Sequence, residues 1–243
     1  CSPMKNLTCF TLSGSGISEL KWPESPAITE LSLDQCKFSK IDLTRYPNLY
    51  FVNLDGNLFK SIALSGLSKL GSIGLADNLL TQVKFGNNTS LWGVALTGNR
   101  LMGIDLTGAP NISQLFLNDN FLSSIDLTPL KQLRVLYLDN NLFDFSNLPV
   151  PQPEWTLYTY GYQPELTVTP VNGVVDLSKQ AWRDGVQTTY TWYYGLPTFD
   201  KETGELYGEQ LIEGDEYTVE NGVTTFLSSL DKVCGVLTNS LFP

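Results

Sequence analysis

The chain has 243 residues, 42% of them hydrophobic, enough to bury one large core or two smaller ones, which speaks against a disordered segment. A net charge of -10 excludes nucleic acid as a partner, because that affinity rests on Lys and Arg displacing counterions from phosphate. The absence of histidine removes the usual general base at neutral pH, most nucleophile-base pairs and the commonest zinc ligand.

The chain opens at Cys1, without an initiator Met. That start suits a processed exported protein, with lipidation of Cys1 as one specific form, and equally suits an arbitrary chain end. Cys1, Cys9, Cys36 and Cys234 have no C-x-x-C spacing, so neither a zinc site nor a redox motif is expected, and no cofactor. No apolar run approaches the ~20 residues of a membrane-spanning helix.

From Leu7 onward the sequence repeats with a period of 21. Seven units begin at Leu7, Ile28, Leu49, Leu70, Leu91, Ile112 and Leu133, each following L-x-x-L-x-L-x-x-N-x-L-x-x-I-x-L without insertion. In the third unit these positions are Leu49, Val52, Leu54, Asn57, Phe59, Ile62 and Leu64. The L-x-L core predicts a short strand, and stacked units predict a parallel sheet with ~4.8 Å between strands. The second half of each unit, such as Ile104-Asp105-Leu106, leaves too little chain for an α-helix, so the opposite, convex side should be extended or 3-10. Asn57, Asn78, Asn99, Asn120 and Asn141 recur where the chain leaves the strand, and a buried amide there is expected to satisfy backbone groups of adjacent turns. Ser15 and Cys36 take that position in the first two units, which makes Cys36 a buried structural thiol.

These repeats resemble the short bacterial leucine-rich repeats of internalin-type surface proteins over residues 7 to about 148. The resemblance implies a leucine-rich-repeat solenoid and a secreted or cell-surface protein that binds or adheres to a protein or glycan, one derived from a host included. It names no ligand. Unlike the internalins, the chain reaches its first repeat without a helical N-terminal cap, so Phe10, Leu12, Ile17, Leu20 and Trp22 would need other cover.

The seventh unit decays at Phe145 to Leu148, and Pro149, Pro151 and Pro153 follow, which places the expected boundary between domains 1-148 and 149-243. Charge changes there too. Residues 1-153 hold 11 Lys+Arg against 12 Asp+Glu, whereas 154-243 hold 4 against 13. Strands are expected at 155-160, 165-169, 173-177, 188-194, 216-219, 223-227 and 233-238, with turns at Asn172-Gly173, Asp184-Gly185, Thr203-Gly204 and Asn221-Gly222. Seven short strands predict an all-β sandwich. Trp192 resembles the buried tryptophan of immunoglobulin-like domains, and Cys234 lies where their later cysteine would; with no partner cysteine, Cys234 is expected as a free buried thiol. Such a module would act as a spacer or as a cap on the open end of the repeats.

The outward strand positions form the concave face, the ordinary binding surface of such solenoids. There Tyr50, Phe51, Trp92, Phe116 and Tyr137 are expected to wall a floor of Gly71, Ser72, Gly74, Gly93 and Ala95. Exposed aromatics on one face suit a sugar ring or a protein anchor residue, and equally suit rings packed on neighbouring repeats. Asp34, Asp55, Asp77, Asp119 and Asp139 line the strand exits as turn formers on a solvated rim, in preference to a Ca²⁺ site or a glycosidase carboxylate pair. The expected function is therefore a non-catalytic extracellular binding module, a monomer, with a ligand-free surface spacer as the alternative and a carboxylate glycosidase a distant third.

Overall fold

The computed structural model describes residues 6-21, 25-200, 203 and 205-242. The expectations about Cys1 and Trp22 lie outside the described residues, as does part of the Thr203-Gly204 turn.

Each repeat contributes one three-residue strand to an eight-stranded parallel sheet in strict chain order: Cys9–Thr11, Glu30–Ser32, Phe51–Asn53, Ser72–Gly74, Gly93–Ala95, Gln114–Phe116, Val135–Tyr137 and Leu157–Thr159. The register aligns Phe10, Leu31, Val52, Ile73, Val94, Leu115, Leu136 and Tyr158, the inward residues of successive strands. Behind them Leu33, Leu54, Leu75, Leu96, Leu117 and Leu138 have no exposed surface. Each such leucine contributes about 1.5-3 kcal/mol of burial, which is why the 21-residue spacing tolerates no slip.

The turn off each strand has a fixed form. Gly14, Gln35, Gly56, Asp77, Gly98, Asp119, Asn140 and Tyr162 occupy equivalent positions and all have φ between 51° and 67°. The residue immediately after this left-handed one is the ladder position. Asn99 is typical: its Oδ1 accepts the Leu80 N–H at 2.9 Å, and its Nδ2 donates to the carbonyls of Leu75, Leu96 and Thr97 at 2.9, 3.0 and 3.2 Å. Asn57, Asn78, Asn120 and Asn141 repeat the pattern and are all buried. The expected structural role of this amide is thus realised bond by bond. Cys36 continues the ladder weakly, its Sγ 3.6 Å from the Leu12 carbonyl and 3.4 Å from that of Asp34.

The convex side is extended or 3-10, as the short return requires. Strands Ser61–Ala63 and Gln82–Lys84 pair in parallel, and Leu43–Arg45 forms one 3-10 turn whose Thr44 N–H is capped by the Asp42 carboxylate. The return loops pack tightly enough to dictate glycine at Gly108, where a Cβ would lie 2.2 Å from the Gly86 carbonyl oxygen.

One expectation is corrected. The 155-160 segment was to open the sandwich; instead Leu157–Thr159 is the eighth parallel strand of the solenoid, paired with Val135–Tyr137. A hidden repeat explains it. Trp155, Tyr158, Tyr160 and Gln163 stand where Leu133, Leu136, Leu138 and Asn141 stand one turn earlier, and the Gln163 Nε2 donates to the carbonyls of Leu138, Tyr160 and Gly161 as a ladder amide does. The longer glutamine side chain and the 22-residue step go together.

The chain accordingly forms two compact units. One holds the repeats to Leu142 together with Gln152–Gln163, and the other holds Phe143–Pro151 together with the residues from Pro164 onward. In the second unit Val233–Thr238 is flanked by Leu166–Val168 and Thr189–Tyr193, and Val223–Phe226 by Val174–Asp176 and Tyr217–Glu220, every pair antiparallel. The two three-stranded sheets share a core around the fully buried Trp192, whose ring meets Phe226 edge-on at 5.3 Å and whose Nε1 donates to the Thr224 hydroxyl at 3.1 Å. The Asn172-Gly173, Asp184-Gly185 and Asn221-Gly222 pairs all adopt positive φ, as their tight hairpin turns require. Segment Phe143–Pro151 is held in this unit by Arg183, whose two terminal nitrogens donate to the carbonyls of Ser146 and Leu148 at 2.8 and 3.0 Å, and by Phe145 stacked on Phe242. Cys36 and Cys234 are buried and free, and Cys9 is exposed and free.

Candidate ligand-binding face

Because alternate residues of a strand face opposite ways, the first and third residue of every strand here point out of the sheet, and the residue before each strand leans along its flank. Tyr50, Gly71 and Trp92 form one such flanking column, and Phe51, Ser72, Gly93, Gln114 and Val135 the next. Asn53, Gly74, Ala95, Phe116 and Tyr137 form the third. Tyr50, Phe51 and Trp92 keep 54%, 40% and 40% of their surface exposed. Phe116 and Tyr137 are half-buried and stacked on each other at 5.1 Å with 28° between their planes.

The structure sorts the five aromatics into two groups and narrows the floor between them. Gly71, expected as open floor, is buried: a Cβ there would lie 2.6 Å from the Tyr50 ring and 3.1 Å from Trp92 Nε1. The two rings lean toward each other over the one residue that offers no side chain. Gly93 is buried as well, with the Ser72 hydroxyl 3.1 Å from where its Cβ would be. Ser72, Gly74 and Ala95 remain accessible as a shallow floor. The eighth strand adds Leu157, 41% exposed, and Thr159 to this face. The W-x-x-Y-x-Y-x-x-Q spacing that begins at Trp155 was the available signal for them.

The aspartates occupy two neighbouring columns. Asp34, Asp55 and Asp139 precede the left-handed turn residue, while Asp77 and Asp119 are that residue. The carboxylates of Asp34, Asp55, Asp119 and Asp139 are engaged locally. The Asp34 carboxylate accepts the Ser13 and Ser32 hydroxyls, which hold its pKa below the ordinary value. Asp139 accepts the Thr159 hydroxyl and the Gly161 N–H, and Asp119 accepts the Asn140 amide at 2.7 Å. Asp55 accepts the Ala76 N–H at 2.7 Å, yet burial, with a smaller push from Asp77 and Asp34, raises its pKa. These are turn-forming roles. Among the described residues no group of three or more Cys, Asp or Glu side chains is placed to hold a metal ion. Two open clefts lie on the convex side, of about 460 Å³ beside Leu20, Phe38 and Ile41 and about 270 Å³ beside Ile62, Gln82 and Lys84.

No family model and no curated protein matches the sequence. Among solved structures the chain is similar to the leucine-rich repeat domain of APL1B, at 22% identity and a TM-score of 0.48, over 57% of this chain and 42% of that one. It is also similar to the functional domain of InlJ from Listeria monocytogenes, which includes a cysteine ladder, at 19% identity and a TM-score of 0.46, over 82% of this chain and 53% of that one. The chain thus spans about half the length of either, and no helix among the described residues is long and apolar enough to cross a membrane. The solenoid itself rests on the register, the amide ladder and the left-handed column described above.

Proposed function

We propose that the chain is a non-catalytic binding module of a secreted or surface-displayed protein, with its ligand on the concave face and an immunoglobulin-like sandwich following the repeats. The observation that carries this reading is the exposure of Tyr50, Phe51 and Trp92 on one face of the sheet beside the Ser72-Gly74-Ala95 floor. A contiguous apolar patch is costly to keep on a monomer unless it is used. Engagement of the aspartates in strand-exit turns leaves a hydrolytic carboxylate pair without support. For the sandwich, support comes from Trp192 at the centre of two antiparallel sheets.

The test is a steric block. Ala95→Arg places a long side chain on the accessible floor while the core, which faces the other way, is untouched; Gly93→Arg repeats the block from the buried position beside it, where the Ser72 hydroxyl 3.1 Å from the new Cβ has to turn aside. Gly103→Arg, on the convex side with nothing within 4 Å of its Cβ, is the control. A ligand from a screen of glycans and extracellular proteins should lose binding to both floor variants and keep it with the control. Full affinity for the floor variants would leave the surface-spacer reading in its place.

A further inference from the structure

We propose that the concave face takes an uncharged oligosaccharide, laid along the solenoid axis across the floor between the two aromatic groups. This rests on the reading that the concave face is the binding surface, and it adds the chemistry of the ligand.

The first argument is the kind of polar group on offer. On the two floor strands Ser72–Gly74 and Gly93–Ala95, the outward and flanking positions hold no Lys or Arg, and the carboxylate beside Gly74, Asp55, accepts the Ala76 N–H; Arg134 and Glu30 flank the face only on the repeats beyond Phe116 and Phe51. An anionic ligand finds no counter-charge on that floor. Neutral hydrogen-bonding groups are plentiful: among the described residues the Tyr50 and Ser72 hydroxyls, Trp92 Nε1, the Gln114 amide and the Tyr137 hydroxyl make no hydrogen bond to one another or to other side chains or backbone. Sugar hydroxyls both donate and accept, and such neutral groups match them without the desolvation of a charge.

The second argument is shape. A protein anchor side chain binds best in a desolvated pocket. Here the gap that would have made one, over Gly71, is filled by the Tyr50 and Trp92 rings, and what remains is shallow. A pyranose presents flat C–H faces that lie against aromatic rings and needs no enclosed cavity. The strand spacing of ~4.8 Å is close to the length of one β-linked pyranose unit, so a chain along the axis meets a strand with each ring. Along the axis Phe51 stands on the strand before the two floor strands and the Phe116-Tyr137 stack on the strands after them, while Tyr50 and Trp92 flank the run.

The experiment is affinity gel electrophoresis of the full chain through gels holding neutral polysaccharides (mixed-linkage β-glucan, xyloglucan, galactomannan) or uronate polymers (polygalacturonate, hyaluronan). The expected result is retardation by at least one neutral polymer and by neither uronate. Trp92→Ala and Gln114→Leu should each weaken that retardation about tenfold, a loss of roughly one good contact. Gln114→Leu is the discriminating variant, since it keeps the bulk and removes only the hydrogen bonds; an apolar protein-binding patch would keep or gain affinity. Retardation by no neutral polymer, equal retardation by the uronates, or indifference to Gln114→Leu overturns the proposal. If, in addition, a protein ligand is found whose binding Gly93→Arg abolishes, the binding face survives and only the saccharide falls.

Discussion

Replacing Asn99 by leucine tests what the amide ladder is worth, and the bonds around it set the size of the effect. Four hydrogen bonds disappear, but they are not four losses. The Leu75 carbonyl keeps the Asn78 amide, the Leu96 carbonyl keeps Asn120, and the Thr97 carbonyl keeps the Asp77 N–H. Only the Leu80 N–H, buried and served by Asn99 Oδ1 alone, is stranded. One orphaned donor costs about 1-3 kcal/mol, so Asn99→Leu should destabilise by ~2 kcal/mol. Asn57→Leu should cost more, because it removes the Phe38 N–H acceptor in the same way and, with Cys36 supplying no second donor, also removes the donor of the Leu33 carbonyl. Restoring the regular ladder with Cys36→Asn gives the Leu33 carbonyl another donor and the Ile17 N–H an acceptor, and should add about 0.5-1.5 kcal/mol. Urea denaturation followed by circular dichroism measures all three. Midpoints for Asn57→Leu equal to or above those for Asn99→Leu would refute the reasoning, whatever their absolute values.

The remaining predictions concern charge and linkage. Burial raises the folded-state pKa of Asp55, so its contribution is favourable below the ordinary carboxylate value and is lost as pH rises through the raised one. Asp55→Asn, which keeps an acceptor for Ala76, should therefore raise the urea midpoint at pH 7 and leave it unchanged at pH 3; a gain at both would assign the effect to something other than ionisation. Arg183→Lys cannot span two carbonyls with one fork, and should cost the second unit about 1.5-3 kcal/mol while the repeats keep their stability. Limited proteolysis reads this as faster cleavage within Phe143–Pro151, and an unchanged cleavage rate would show that Phe145 and Gln180 hold the segment unaided.

Periodicity made most of the solenoid legible. Leucine at fixed intervals fixes which side of every strand is buried, and the asparagine column marks each strand exit, so seven strands could be placed to the residue. The eighth was hidden by four substitutions and a changed step: Trp155, Tyr158 and Tyr160 fill leucine positions, Gln163 fills an asparagine position, and the step is 22 residues. An aromatic ring satisfies the same burial requirement as leucine, but a pattern written in residue types does not register it. For the concave face, alternation told which aromatics point outward. It did not tell that Tyr50 and Trp92 close over Gly71, since that depends on side-chain rotation about a residue lacking Cβ, which no spacing encodes.

The chain passes between its two compact units three times, leaving the repeats after Leu142, returning at Gln152 and leaving again after Gln163. Such a path resists genetic shuffling. A single crossover anywhere in 143-163 would hand a recipient either repeats without their final strand or a second unit without the stretch that Arg183 grips. Descent of this pair should therefore be joint: the last turns of the repeat array and the antiparallel second unit travel as one heritable block, while whole 21-residue units upstream, each bonded alike to its neighbours, stay free to duplicate or drop out.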